Sequence, residues 1–451
     1  MILLKEDKQG YLEGFYQFEK RAPGKDLPWL RQLRNEAIAS FAERGFPTPQ
    51  DEDWRFTNLA PLVRTSFCIP EDGEVSLSSQ DIKPFTFPDL KCIQLIFVNG
   101  HLMPGLSQFE RLPVGMVVKN LSNAILEDSD IVKHNLARYA DYKSDSFLSL
   151  NTAFMEDGAF VYIPRGSIVE EPIHLLYIAT AKGDFPLITN SRNLIVMEEN
   201  SQATIIEHYV SLDDSVYFSN VVTEAVVGKN CVLNHCFVEC ESQKAFNIST
   251  LRIQQERTSS VTSNTVLIGG ALVRNNVHPV LAGEGAECYI NGLFMATGRQ
   301  HMDNYMKVEH VGPHCDSRQL YKGILDGKSH GVFHGRIIVH RGAQKTDAKQ
   351  TNRNLLLSDD AQIDTKPQLE IYADDVKCTH GATIGQLDEN AIFYIRSRGI
   401  PLNSARALLL FAFTSEVLER IKVEPVRLYL EKLVSSWFVE RKLIEPSYTT
   451  V

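Results

Sequence analysis

The fold is decided by a series of short turn-like steps in the middle of the chain, which read Glu199-Asn200-Ser201-Gln202, Gly228-Lys229-Asn230-Cys231, Gly283-Glu284-Gly285-Ala286, Gly312-Pro313-His314-Cys315 and Arg341-Gly342-Ala343-Gln344. With a further step at Thr258, the recurring positions are Ser201, Asn230, Thr258, Ala286, Cys315 and Ala343. Successive positions are 29, 28, 28, 29 and 28 residues apart, and a later step, Asp360-Ala361-Gln362, follows after only 18. A fixed period of this length is typical of a stacked coil, in which each turn covers the apolar face of its neighbour.

The residues between these steps have the composition of strands. From about residue 92 to 395, Val, Ile, Thr, Phe and Tyr dominate short runs that end at Gly, Asn, Asp or Ser. Long helical periods are missing between about 150 and 395, so alternating βαβ units are not expected. A β-sandwich is the alternative, but its turns would come about every 8–12 residues in less uniform blocks. The pattern therefore favours a mainly β protein with a β-helix core.

The beginning of the chain is predicted to be helical. A helix that opens at Pro28 and ends at Gly45 is indicated by apolar residues at three- and four-residue spacing. These residues are Leu30, Leu33, Ala37, Ile38 and Phe41. Trp54 and Phe56, which follow a proline-rich entry, are expected to anchor the next segment to the rest of the protein, and a packed helix cap is the simplest interpretation.

The end of the chain is also predicted to be helical. Ser404 is expected to cap a helix whose apolar stripe contains Leu410, Phe413, Val417 and Ile421, and Pro425 to start a second one. The first helix is so apolar that burial within its own domain and docking of a partner are equally good explanations. We therefore divide the chain into an N-terminal helical region (1–90), a β-helix core (91–395, with regular coils from about 150) and a C-terminal helical domain (396–451).

Composition excludes several classes of protein. The 451 residues carry 46 Lys and Arg against 56 Asp and Glu, a net charge of −10, which argues against general binding to nucleic acid. No run of 18 apolar residues is present, so no membrane association is expected. The N-terminus has no signal-peptide pattern, and the eight cysteines are scattered, as is usual for free thiols. These features predict a cytoplasmic protein.

Sequence motifs of common enzymes are missing. The chain has no phosphate loop of the Walker type, so it is not expected to hydrolyse nucleotides itself. It also has no Gly-x-Ser-x-Gly and no His-Glu-x-x-His, so no motif supports a hydrolase or a metalloprotease. The histidines are nevertheless unevenly distributed, since nine of thirteen fall between His235 and His340 or at His380.

Two groups of possible metal ligands are more simply explained as structural residues. The first group is Cys231, His235, Cys236 and Cys240. On a strand, positions 236 and 240 face away from 231 and 235, so core or surface placement explains them better. The second group is His301, Asp303, His310, His314 and Cys315, followed by His330, His334 and His340. Stacked coils would bring some of them into register as a histidine ladder, but polar decoration of an exposed face is the simpler interpretation.

The segment from Ile371 to Thr383 is the strongest candidate site. In an extended chain, Cys378 and His380 point to the same side, about 6–7 Å apart along the strand. A thiolate beside an imidazole is a suitable pair of ligands for iron or zinc. Alternatively, the thiolate is a candidate acceptor of sulfur. Two ligands do not complete a four-coordinate site, so a second chain would have to supply the rest. Asp374, Asp375 and Gly381 are better explained as turn residues.

The same segment resembles the SufB/SufD family of the SUF iron–sulfur cluster assembly system, and its SufD members in particular. The resemblance rests on stretches that keep their order and spacing: Thr351 to Ser358, Thr365 to Asp388, Phe393 to Ile400, and Ala405-Arg406 through Glu416-Val417-Leu418. Pro47 to Leu59 is similar to the Pro-Thr…Asp-Glu-x-Trp-Arg motif of the family's N-terminal region. The resemblance covers essentially the whole chain.

The resemblance implies a right-handed parallel β-helix flanked by helical domains, within a complex of SufB, SufD and two copies of the ATPase SufC. It implies that SufB and SufD pair through their β-helices and that SufC docks on the C-terminal helical domain. The apolar helix from Ser404 to Ile421 is then the docking element. The residues expected to contact the partner are Arg406, Leu410, Phe413, Glu416 and Val417. ATP would act only through SufC.

The resemblance also implies that His380, together with Cys378, holds a transient iron–sulfur cluster at the interface with SufB, where a SufB cysteine supplies another ligand. The protein would then be a non-catalytic scaffold subunit. One alternative is a SufB-like, sulfur-accepting paralogue, although this chain has only Cys68 and Cys92 before residue 200. The other alternative is a β-helical carbohydrate-active enzyme, for which no cluster of acids is evident. The residues do not decide whether a flavin binds.

Overall fold

The computed structural model describes residues 2–5, 7–70, 75, 77–109, 112–180, 185–441 and 443–444. Its α-helices are α1 (Asp7–Phe18), α2 (Pro28–Arg44), α3 (Ala60–Val63), α4 (Ser79–Ile82), α5 (Leu121–Glu127), α6 (Ser129–Asn135), α7 (Ser146–Phe154), α8 (Glu389–Arg396), α9 (Leu402–Leu418) and α10 (Glu424–Glu440).

The strands before the regular coils are β1 (Ile2–Leu4), β2 (Phe67–Ile69), β3 (Ile93–Val98), β4 (His101–Leu102), β5 (Val117–Asn120), β6 (Ala159–Ile163), β7 (Ile173–Ala179), β8 (Leu187–Thr189) and β9 (Arg192–Met197). Those of the regular coils are β10 (Gln202–Ser211), β11 (Tyr217–Val227), β12 (Val232–Cys240), β13 (Phe246–Gln255), β14 (Ser260–Leu267), β15 (Leu272–Leu281), β16 (Glu287–Ala296), β17 (His301–His310), β18 (Asp316–Leu325), β19 (His330–Val339), β20 (Asp347–Leu356), β21 (Gln362–Ile371) and β22 (Lys377–Gly385).

From β10 onwards, successive strands alternate between two parallel sheets, so that two strands and two turns make one coil of a β-helix. Sheet A runs β11-β13-β15-β17-β19-β21, and sheet B runs β10-β12-β14-β16-β18-β20-β22. About seven coils are stacked in this way. The sequence prediction of a mainly β protein, with a parallel β-helix core flanked by helices, is confirmed.

The predicted period corresponds to the register of sheet B. The residues that begin its strands pair in the series Gln202, Val232, Ser260, Glu287, Asp316, Asp347 and Lys377, which gives coils of 30, 28, 27, 29, 31 and 30 residues. Each turn before Asp347 has a residue with positive φ, the conformation that Gly and Asn adopt most readily: Asn200, Asn230, Thr258, Gly285, His314 and Lys345. The predicted steps lie within two residues of these turns. The early step at Ala361 belongs to the opposite edge, because it precedes β21 in sheet A.

Inward-facing side chains fill the space between the two sheets. Alternate residues of each strand point inwards, and the buried interior therefore contains Leu233 and Phe237 of β12 as well as Ile290 and Phe294 of β16. Stacked coils bury apolar surface that a single coil would expose, and this burial stabilises the whole stack.

The N-terminal helices cover the outer face of sheet A. The predicted helix is α2, and Gly45 ends it with a φ of 72°. Phe41 on α2 and Phe147 on α7 belong to the same buried cluster as Phe218 on β11. Trp54 is also buried in this cluster, as predicted.

The C-terminal helices α9 and α10 pack on the outer face of sheet B. The buried cluster between them contains Leu410, Val417, Leu430 and Val434 from the helices and Ile206, Val266, Leu293 and Ile324 from the sheet. Helix α9 begins at Leu402 after Pro401, so Ser404 lies in its first turn and is not the cap that the sequence predicted. Helix α10 begins at Glu424, next to the predicted Pro425.

This packing corrects part of the predicted docking surface. Leu410 and Val417 are 1% and 0% exposed, so they attach α9 to sheet B and are not available to a partner. Phe413 is half-buried beneath Lys322, whose Nζ lies 4.4 Å from the ring centroid. Glu416 forms ion pairs with Lys322 and Arg353 on the same chain. Of the five predicted residues, only Arg406 is exposed without a described ion pair. In the described part of the chain, no helix is long and apolar enough to cross a membrane.

Candidate functional site

The candidate site lies on β22, the last strand of the β-helix. Cys378 and His380 pair in register with Ala348 and Gln350 of β20. Ala348 and Gln350 are both 1% exposed, because they point into the interior. In a parallel pair, residues in register face the same side, so Cys378 and His380 both lie on the inner face of the sheet. The predicted common orientation of the two side chains is confirmed.

The two side chains differ in their surroundings. Cys378 is half-buried and packs against the end of the apolar interior, whereas His380 is exposed. Burial raises the pKa of the Cys378 thiol, and nearby Asp347 raises it further, while a hydrogen bond from the Ala348 backbone lowers it. The free thiol therefore stays protonated, and metal binding would have to displace this proton. Gly381 lies inside the strand, so the predicted turn role is wrong for this residue.

Sheet A closes the other side of this last coil. Ile363, Thr365 and Leu369 of β21 point inwards, in register with Gly331, Phe333 and Ile337 of β19. Oγ1 of Thr365 is buried and has no hydrogen-bond partner among the described residues. β22 pairs only with β20, and β21 only with β19, within the described part of the chain. The interior of the β-helix is therefore open at this end.

Cys378 and His380 share the inner face of β22 without a third ligand among the described residues. The described residues contain no group of three His, Cys, Asp or Glu side chains close enough to hold a metal ion. The arrangement can therefore offer one imidazole and one thiol to a metal centre, and a complete site needs ligands from elsewhere.

The second predicted histidine group is divided between the outside and the inside of the β-helix. His301 and His330 are in register on the outer face of sheet A, with ring centroids 4.8 Å apart, so a ladder of two forms. Nε2 of His301 lies 2.9 Å from Oγ1 of Thr57, and Nε2 of His330 lies 2.7 Å from Asp364. These hydrogen bonds support a structural role.

The remaining members of that group do not form one cluster in the described part of the chain. His310 is buried inside, with Nε2 2.9 Å from Oγ of Ser317, and burial lowers its pKa to about 4. His314 and Cys315 lie in the turn before β18, and His334 contacts Gln368 at 2.8 Å.

The first predicted group also separates as the strand geometry predicted. Cys231 and His235 lie inside, whereas Cys236 and Cys240 face outwards. The two ring nitrogens of His235 each lie 3.0 Å from a side-chain oxygen, of Glu207 and of Ser263. Burial raises the pKa of Cys236 to about 12, which leaves it an inert thiol.

The proline-rich N-terminal segment is fastened to the outer face of sheet A. The guanidinium of Arg274 lies 4.3 Å from the ring centroid of Trp54 and donates to the carbonyl of Asp53 at 2.8 Å. Thr57 donates to Asp303 at 2.5 Å, and Glu52 is 2.6 Å from Nζ of Lys366 on β21. The segment is thus an anchor that extends to the last coil, more than a simple helix cap.

Comparisons with known proteins identify the family. Residues 177–413 match the model of the SUF system FeS cluster assembly SufBD core domain, and residues 5–175 match the SufBD protein N-terminal region. The chain is 36% identical over 417 residues to an iron–sulfur cluster assembly SufBD family protein of Synechocystis, which covers 90% of each chain. It is 33% identical over 391 residues to the iron–sulfur cluster assembly protein SufD of Escherichia coli, covering 86% of this chain and 89% of the relative. It is 27% identical to SufD of Bacillus subtilis over 96% of this chain and 98% of the relative.

The two family models together span the N-terminal helices and most of the β-helix. The first two relatives match this chain over almost their full length. The chain belongs to the SufBD family, and its role lies in iron–sulfur cluster assembly by the SUF system.

Proposed function

We propose that this protein is a scaffold subunit in which His380 and Cys378 offer two ligands to an iron–sulfur cluster that is built at the open end of the β-helix. The observation that carries the proposal is that an imidazole and a thiol share the inner face of the last strand. The cluster is cargo in this proposal. An imidazole is a harder, less electron-donating ligand than a thiolate, which suits a cluster that must be passed on.

The open end also has the properties of an interface with another protein. The edges of β21 and β22 have no partner strand among the described residues, and such edges favour pairing with another chain. Large apolar side chains are exposed at this end: Ile371, Tyr372 and Ile384 are 40%, 58% and 49% exposed. We infer that the partner is the β-helix of SufB, which would cover the open interior and supply the missing ligands.

We further propose that the SufC ATPase docks on the C-terminal helices, on a different face from the one predicted. Because Leu410 and Val417 are buried, the contact is assigned to the outer face of these helices, where Leu408 and Leu428 are 50% and 53% exposed. A groove of about 870 Å³ runs between α10 and the segment before β3. Its lining includes Pro84, Pro88, Leu428 and Tyr429. The sequence contains no phosphate loop, so ATP would act only through the docked subunit.

The proposal is tested by co-expression with SufB and SufC, followed by measurement of iron and acid-labile sulfide in the purified complex. His380→Ala should leave the subunit stoichiometry intact and lower the cluster content, because one ligand is lost. Thr379→Ala is the matched control, since Thr379 is exposed on the opposite face of the same strand. A His380→Ala complex with the cluster content of the Thr379→Ala complex would overturn the assignment.

A further inference from the structure

A row of inward-facing polar side chains leads along sheet B to the candidate site. Gln319 of β18 pairs in register with Gln350 of β20, and Gln350 pairs in register with His380 of β22. Neighbouring strands lie about 4.8 Å apart. Gln350 is therefore the neighbour of His380 on the inner face of sheet B.

Each of the two glutamine amides uses only one of its two polar atoms. Nε2 of Gln350 donates to Oε1 of Gln319 at 3.0 Å. Oε1 of Gln350 and Nε2 of Gln319 are buried and have no partner among the described residues. Buried polar groups are almost always hydrogen-bonded, so an unused acceptor next to a functional side chain calls for a partner.

The Gln350 amide has little freedom to turn away. It lies against Gly335 of β19, where an added Cβ would come within 2.1 Å of Nε2 of Gln350. The glycine on sheet A therefore makes room for the amide, and the hydrogen bond to Gln319 holds its other side. An acceptor held on two sides keeps a defined position below β22.

We propose that Gln350 is a positioning residue for His380, which rests on the function proposed above. In the described structure this oxygen has no partner, so the contact forms when the exposed His380 side chain turns inwards and one ring N–H donates to Oε1 of Gln350. This contact selects one tautomer and leaves the lone pair of the other ring nitrogen directed at the open end. Histidines that bind metals usually donate their second N–H to such a partner, which fixes the orientation of the ring.

The tautomer of His380 provides a test that does not depend on cluster assembly. In full-length protein labelled with ¹⁵N-histidine, the imidazole signals of His380 are assigned with a His380→Asn variant at a pH where the ring is neutral. Gln350→Met keeps the length of the side chain but removes the acceptor. It should change the ratio of the two tautomers by about tenfold, the factor that corresponds to one ordinary hydrogen bond. Gln350→Glu retains an acceptor, although it loses the donor to Gln319, and should keep the same tautomer in excess.

Gln362→Met is the matched control, because it makes the same substitution at an exposed position on β21 that does not contact this row. It should leave the His380 signals unchanged. In the complex with SufB and SufC, Gln350→Met should lower the cluster content about tenfold, as loss of such partners does for metal affinity, whereas Gln362→Met should not.

The two proposals fail in distinguishable ways. If Gln350→Met and Gln362→Met give the same tautomer ratio for His380, the positioning role is overturned, even when His380→Ala lowers the cluster content. If Gln350→Met shifts the ratio while His380→Ala leaves the cluster content unchanged, the contact is supported and the proposed function fails. Should Gln350→Met not fold, loss of the wild-type tautomer preference in Gln350→Glu, whose carboxylate still offers an acceptor, would count against the contact.

Discussion

Arg192 of β9 and Glu224 of β11 form an ion pair that is completely buried on the outer face of sheet A, with both side chains 0% exposed. Glu224 also accepts hydrogen bonds from three backbone N–H groups of the loop before α7, those of Ala137, Tyr139 and Ala140, at 2.7–3.1 Å. One carboxylate therefore attaches the N-terminal helical layer to the β-helix.

Removal of this carboxylate should destabilise the protein strongly. Glu224→Ala leaves a buried guanidinium and three backbone donors without their acceptor, and breaking a buried pair costs about 3–5 kcal/mol. Chemical denaturation should show this decrease in the free energy of unfolding. Asp214→Ala is the control, since its pair with Lys244 is mostly exposed and should change stability by about 0.5 kcal/mol or less. Equal effects of the two variants would contradict the anchoring role.

The pH dependence of stability should reflect His310. Burial lowers its pKa from 6.5 in the unfolded chain to about 4, so the folded protein keeps this ring neutral at a pH where the unfolded chain binds a proton. The contribution of His310 to the free energy of unfolding is therefore fully present above pH 6.5. It is lost as the pH falls towards 4, by at most about 3 kcal/mol. His310→Gln should flatten this part of the profile of unfolding free energy against pH. A wild-type profile in His310→Gln would contradict the argument.

The fold was predictable because each corner of the β-helix is formed by a few consecutive residues. Positive-φ residues such as Asn200 and Asn230 mark the corners of successive coils, and their spacing is visible without any tertiary information. The coil lengths vary from 27 to 31 residues, because the turns differ in length. This variation explains why the predicted step at Ala343 lies two residues before Lys345, which has the positive φ.

The site was only partly predictable. The common orientation of Cys378 and His380 follows from the two-residue period of a strand. Gln350 was missed, because it is 30 residues from His380 and only the register of β20 with β22 brings them together. The apolar stripe of α9 was recognised in the sequence, but the surface against which it packs was not. That surface is the outer face of sheet B, and it was missed because each strand contributes only one or two of its apolar residues.

The burial of α9 predicts different effects for two leucines in the same helix. Leu410→Ala should lower the free energy of unfolding by about 2–5 kcal/mol, because Leu410 is 1% exposed against sheet B. Leu408→Ala should change it little, since Leu408 is 50% exposed. Under the proposed function, Leu408→Ala should instead weaken co-purification with SufC. If Leu410→Ala were as stable as the wild type but no longer co-purified with SufC, Leu410 would contact SufC, as the sequence predicted.

The open end of the β-helix predicts how a charge there affects assembly. Ile384→Lys places an ammonium group on the exposed edge strand β22, where lysine is a common means of preventing strand pairing. The variant should fold with the thermal stability of the wild type but fail to co-purify with SufB, because a buried ammonium at a protein interface has no partner to offset its desolvation. Val114→Lys is the matched control, since Val114 is also apolar and 98% exposed but precedes β5, in the part of the chain before the regular coils. Native mass spectrometry of the co-expressed proteins would measure both effects, and an Ile384→Lys complex of wild-type composition would show that this end is not where the partner binds.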